Sequence, residues 1–340
     1  MSLTDELPAH IVEMLRGQLN SEFATVTATG VPIDTPMIFF PEDDLSALNV
    51  ATGLAYPAKA ERARRNPKVG LLAERGPEDP VIAICGEAAA HDADIQANTD
   101  KYLTETAFMR VGGEPWPNAK RAVWYWARMI VAIAPARVLW WDNRAAMNRP
   151  PQRWEAPAGT VFPKSDPAPA ARPSTKPDRP IADWRAMTDA PLGYGMPGHL
   201  TLCDAEGYPL PIRASEIAVT DDGFAMRIPA GAPWGRRGKA TLTFMGRETF
   251  VGQISAEGDL TRLTVERALP INPFVGDPRE LWDPSPAVHG QMMGRLEEEL
   301  ARRGQPIPRV PDAEPFPTSR CGRMRMELQE APSRGLPVAE

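Results

Sequence analysis

The sequence predicts a mainly β protein with small helices, arranged as two β-barrels in tandem with the second diverged. Three observations carry this reading. Short alternating or continuous apolar segments recur, each bounded by Gly, Pro or acidic turn residues, and helical spacing is confined to brief stretches. The order of these segments is stated twice along the chain. Between the two statements lies a stretch rich in Pro, Ala and charge and poor in aliphatic residues, which reads as an extended linker. The expected divisions are a first barrel over 1–148, the linker over 149–180, the second barrel over 181–280, and a C-terminal helix and Pro-rich tail over 281–340.

In chain order, Ile11, Met14, Leu15 and Leu19 recur at helical spacing and predict a short amphipathic helix over 8–19. Phe23 to Ala28 alternates as a strand, Thr29-Gly30 turns the chain, and Val31 to Phe40 returns as a hairpin. Glu42-Asp43-Asp44 makes the next turn and Leu45 to Ala51 a third strand. Thr52-Gly53 then breaks the apolar run. Pro57 suits a first helical turn, and Asn66-Pro67 stops the helix, because the residue before a proline is pushed out of the α region. Lys59 falls in the first turn, beside backbone N–H groups that no carbonyl of the helix can reach, a plausible seat for phosphate. Arg62, one turn on, is the best-placed helper.

Val69 to Leu72 resumes extended structure. Val81 to His91 is another strand, with Gly86 marking a bulge or close backbone approach. Asp94 to Ala107 predicts a helix capped by Asp92. Val123 to Trp141 predicts two strand pieces around Pro135, with Trp124, Tyr125, Trp126, Trp140 and Trp141 serving mostly as core. In the second half, His199 to Pro209 echoes Phe23 to Pro32, each an alternating strand followed by Gly, one residue and Pro. Gly238 to Phe244 echoes Pro67 to Leu72, and the intervening helix shrinks to APWGRR. Pro286 to Arg303 is a helix with Ser285 as cap and Gly304 as stop, and a loosely ordered tail is expected beyond it.

Composition excludes several classes. Acidic residues number 44 against 38 basic, a net charge of −6, so a general nucleic-acid binder is not expected. Cys85, Cys203 and Cys321 are sparse and odd in number, as in a reducing cytoplasm. MSLTDELPAH lacks the apolar core of a signal peptide, and Met129 to Ala134 is too short to span a bilayer. His10, His91, His199 and His289 are scattered, and their spacing assigns no metal. Nucleophile-elbow, dinucleotide and P-loop patterns are absent; GRRGK at 235–239 is a basic turn.

The segments ATVTATGVPIDTPMIFF (24–40), LNVATGLAYPAKAERARRNPKVGLL (48–72) and VAIAPARVLWWD (131–142) resemble the pyridoxamine 5′-phosphate oxidase-like, FMN-binding split-barrel superfamily. The resemblance covers roughly 8–145, with a diverged copy near 195–275. It implies that Thr52 and Lys59 hold a flavin phosphate and that Thr35, Pro36, Met37 and Ile38 flank the ring. It further implies that Trp140 or Trp141, Trp141 foremost, lies near the cofactor. The family's phosphate-binding arginine on the second strand has no counterpart in Asp34-Thr35-Pro36. The implied activity is an FMN-dependent oxidoreductase acting on a small organic substrate; no acid or base can be named. A deazaflavin-dependent reductase and a non-catalytic flavin- or haem-binding protein are the alternatives. Family members commonly dimerise, so a homodimer is expected. The second barrel is expected to be mainly a packing partner that binds no flavin of its own. With a long proline-rich linker between the barrels, the N-terminal barrels are expected to pair between chains rather than face the second barrel within one chain.

Overall fold

The computed structural model describes residues 2–170, 173, 183–269 and 279–330. Seven strands form the first sheet: β1 (Asn20–Val26), β2 (Pro32–Pro41), β3 (Leu48–Gly53), β4 (Lys68–Ala73), β5 (Val81–His91), β6 (Arg128–Trp141) and β7 (Gln152–Glu155). They lie in the order β3-β2-β1-β4-β5-β6-β7, and β3 also pairs with β6, which closes the first six into a barrel. The second barrel holds β8 (Gly198–Cys203), β9 (Pro209–Val219), β10 (Gly223–Arg227), β11 (Gly238–Phe244), β12 (Glu248–Glu257) and β13 (Leu260–Leu269). Its ring runs β10-β9-β8-β11-β12-β13 and back to β10, the same strand order as the first ring. The likeness extends to a defect. A bulge interrupts the pairing of β5 with β6 at Gly86, and another interrupts β12 with β13 at Gly252. In each case a Cβ would collide, with Ile133 at 2.2 Å and with the Thr264 carbonyl oxygen at 1.9 Å.

The helices are α1 (Ala9–Arg16), α2 (Ala58–Arg65), α3 (Ile95–Thr106), α4 (Trp116–Ala119), α5 (Val123–Trp126), α6 (Asp189–Gly193), α7 (Arg279–Trp282), α8 (Pro286–Arg303) and α9 (Arg320–Glu330). The cap of α3 is Asp94, whose carboxylate accepts from the Ala97 amide at 2.9 Å, not Asp92. Asp92 is instead ion-paired with Arg64 and Arg303. The aromatic run 123–126 is one helical turn rather than a strand, because Tyr125 and Trp126 turn to pack on Trp282. β6 then runs unbroken through Pro135. The proline is tolerated because it sits beside the bulge, where a ladder bond is missing anyway. The tail contains α9, whose Arg325 is fully buried and donates to Phe39 O at 2.6 Å and to Glu105 Oε2 at 2.9 Å. Within the stretch read as linker, β7 pairs with β6, and Asp166 accepts from the Asp92 and Ala93 amides at 2.8 Å each. Among the described residues, no helix is long and apolar enough to cross a membrane.

The two barrels pack against each other within one chain, which corrects the expectation that they would not face. The strands that meet are β1, β2, β4 and β5 on one side and β8, β9 and β11 on the other. Backbone approaches backbone there: a Cβ on Gly70 would sit 1.6 Å from the Pro209 carbonyl oxygen. One apolar cluster is continuous across the seam, joining Leu72, Cys85, Leu139 and Trp141 to Leu200, Leu210 and Phe250. A second fills the first barrel and takes in α1, α7 and α8.

Candidate functional site: the split edge of the first barrel

β2 changes partner midway. Residues 32–38 pair with β1, whereas pairing with β3 begins only at Phe39↔Val50. Thr35, Pro36, Met37 and Ile38 are all half-buried and have no β3 ladder on that side. Thr35 and Pro36 also meet Gly246, in the turn between β11 and β12, where a Cβ would sit 2.3 Å from Pro36 Cδ.

The far wall is the end of β3 and the start of α2. Thr52 is buried, and its hydroxyl donates to Tyr56 O at 2.9 Å. The Tyr56 amide donates to Gly53 O at 2.8 Å, so the chain turns tightly into α2. Pro57 is the N-cap, and no side chain caps the helix. Lys59 is half-buried in that turn. Arg62 points elsewhere, its Nε donating to Thr25 Oγ1 of β1 at 2.7 Å. Burial, with Arg65 nearby, lowers the Arg62 guanidinium to about 10. Arg64 is structural: with Arg302 and Arg303 it shares Glu61, Asp92 and Glu299 in a network that fastens α8 to α2.

Two residues that the sequence reading passed over complete the wall. Arg128 pairs with Gly53 across β3 and β6 and is buried, its guanidinium 4.4 Å from the Tyr102 ring centre and 4.2 Å from that of Tyr125. Its Nε has no hydrogen-bond partner, and among the described residues no carboxylate pairs with it. Arg295 of α8 is also buried; its Nε donates to Ala55 O at 2.9 Å and it covers the Tyr56 ring at 5.0 Å. The Tyr56 hydroxyl donates to the Met292 sulfur, so α8 roofs the turn. The signal for Arg128 was a charge set directly into the apolar run WYWARMIVAIA. For Arg295 it was a charge on the apolar stripe of a helix that also carries Met292 and Leu296.

Trp141 does not join this group. It pairs with Val81, while Thr52 pairs with Met129 near the opposite end of the same strand. It is buried in the seam between the barrels, where its indole N–H donates to Arg149 O at 2.9 Å. The structure thus sets Thr35, Pro36, Met37 and Ile38 on the edge of β2 that β3 does not pair, sets Thr52 and Lys59 at the end of β3 and the start of α2, turns Arg62 towards β1, and leaves Trp141 towards the other end of β6.

By strand order the first barrel is a split barrel, with a second such ring in tandem. Solved structures similar to it include General Stress Protein 26 from Bacillus anthracis str. Sterne, at 21% identity over 43% of this chain and 96% of that one, with a TM-score of 0.31. A pyridoxamine 5′-phosphate oxidase-related, FMN binding protein from Nostoc punctiforme is 18% identical over 39% of this chain and 80% of its own, with a TM-score of 0.30. A protein described as F420 Reductase is 17% identical over 40% of this chain and 100% of its own, with a TM-score of 0.32. These likenesses are of fold. No protein-family model matches the chain, and no curated protein matches it in sequence.

Proposed function

We propose that the chain is a flavin-dependent oxidoreductase that takes one FMN in the first barrel and acts on a small organic molecule. One observation supports the reading. At the turn from β3 into α2, a helix start without a side-chain cap follows Gly53, which pairs with a buried guanidinium, Arg128, whose Nε has no partner and which no described carboxylate neutralises. Such donors fit a phosphate group, since an anion at a helix N-terminus gains both hydrogen bonds and the helix dipole. Lys59 and the first-turn amides would hold the phosphate, with Arg128 and Arg295 supplying positive charge behind the turn. Thr35, Pro36, Met37 and Ile38 would lie along the ring. Thr52, whose hydroxyl already donates to Tyr56, shapes the turn and can only accept from elsewhere. Bound there, the flavin supplies hydride transfer at N5. The chain's own part is binding, orientation and, through α8, exclusion of water from the phosphate end. We further infer a reducing cytoplasm, consistent with three unpaired cysteines, and a homodimer without nucleic-acid or membrane partners.

The test is the absorption spectrum, mass and amount of any chromophore released by denaturing the purified protein. One FMN per chain is expected. Two per chain would overturn the assignment to the first barrel alone, and a released deazaflavin would transfer the site to that coenzyme.

A further inference from the structure

Between the barrels, three potential metal ligands converge. Glu22 on β1 and Asp34 on β2 project from the same face of the first hairpin, as diagonal neighbours: Asp34 pairs with Ala24, two residues along from Glu22. His199 on β8 faces them from the second barrel. One donor atom from each lies within 4.8 Å of the other two. His199 is 3% and Asp34 1% exposed. His199 Nδ1, Asp34 Oδ2 and Glu22 Oε2 have no hydrogen-bond partner.

The other atoms of these groups are engaged in ways that aim the idle ones inward. His199 Nε2 lies 3.1 Å from Glu74 Oε1, which in turn accepts from Arg213 Nε at 2.7 Å. Glu74 fixes the ring through Nε2 and turns Nδ1 towards Glu22, whose Oε1 is 3.5 Å away. Asp34 Oδ1 accepts from the Thr243 hydroxyl at 2.8 Å, which leaves Oδ2 as the idle oxygen.

We propose that Glu22, Asp34 and His199 form a divalent transition-metal site that clamps the two barrels, with Glu74 as the positioning residue behind the histidine. One imidazole and two carboxylates suit Zn²⁺. A tetrahedral ion with bonds of ~2.0–2.2 Å needs donors about 3.3–3.6 Å apart. Small carboxylate rotations close the remaining gap. The spacing of histidines in the sequence gave no sign of this, because the ligands come from two barrels and meet only when these dock. The inference is independent of the flavin.

The test uses the full chain, stripped with EDTA and dialysed against ZnCl₂, with bound metal measured by mass spectrometry. One Zn²⁺ per chain and a raised melting temperature are expected. Asp34→Asn and His199→Gln should lose stoichiometric uptake, and Glu74→Gln should bind about 10–100-fold more weakly. Co²⁺ loading of the wild type provides a readout that needs no variant: visible absorption with N/O-type coordination and without thiolate charge transfer. Overturning results are a folded wild type that takes up no stoichiometric Zn²⁺, uptake unchanged in folded Asp34→Asn and His199→Gln, or a Co²⁺ spectrum with thiolate bands.

Discussion

The two barrels share a ring order and even a glycine bulge, yet they differ at the place proposed above for the flavin. In the first, β2 leaves Thr35–Ile38 half-buried at the split, and the chain from β3 to β4 forms a helix with Lys59 in its first turn. In the second, β9 makes the same change of partner, from β8 to β10, but Pro209–Ile212 and Ala214 are buried, and no helix joins β10 to β11. There the connection sinks Trp234 into the core, its indole donating to Leu210 O at 2.9 Å. Lys239, near the position of the lost helix, donates instead to Thr29 O of the first barrel at 2.7 Å. A ring of strands is thus a scaffold that either opens its seam to a ligand or fills it to become a neighbour's support, and the helix insertion separates the two uses.

The largest expected effect comes from breaking the support role. Gly70→Val places side-chain carbon where the Pro209 carbonyl already stands. Overpacking of this kind costs about 1–3 kcal/mol or more. A fall in melting temperature of several degrees, at ~2–4 °C per kcal/mol, is expected. A wild-type melt for this variant would mean that the barrels do not dock as described. Next comes the contrast between lysines. Lys59→Ala should weaken FMN binding by ~1.5–3 kcal/mol, about ten- to hundredfold, whereas Lys239→Ala should leave it nearly unchanged. Fluorescence titration of the apo-protein decides, and equal losses would erase the distinction between the barrels.

The smallest effect concerns the segment beyond β7, a feature of the first barrel only. Hydrogen bonds from Ala93, Asp92 and His91 hold the Asp166 carboxyl below its ordinary value of 3.8, against the opposing effect of partial burial. A folded-state value below the unfolded one means that its contribution is present above pH ~3.8 and is lost as pH falls through the lower, folded value. Hydrogen exchange at the Asp92 and Ala93 amides, corrected for intrinsic rates, should accelerate in that acid range and already at neutral pH in Asp166→Ala.

Much of the fold was legible because its signals are local. α2 was bounded by Pro57 and Asn66-Pro67, β5 matched its apolar run, Gly86 marked a bulge, and α8 had both its cap and its stop in the sequence. What could not be read depends on partners distant in the chain. Val123–Trp126 has strand composition, but Trp282 draws it into a turn of helix. α9 carries three arginines, Arg320, Arg323 and Arg325, and Arg325 is buried because the Phe39 and Glu105 carbonyls and the Glu105 carboxylate await it. The barrel seam was hidden for the same reason. Nothing in the proline-rich stretch encodes docking; the complementary surface is spread over β1, β2, β4, β5, β8, β9 and β11.

Since Gly70 and Pro209 belong to the same polypeptide, the fit between the barrels is a unimolecular equilibrium. Two separate chains would have to find each other at cellular concentration, whereas tethered partners see one another at an effective concentration that reaches the millimolar range for short flexible connections. Dilution therefore exerts no pull on this seam: the docked state carries no concentration in its equilibrium constant, and a scarce protein keeps it as readily as an abundant one.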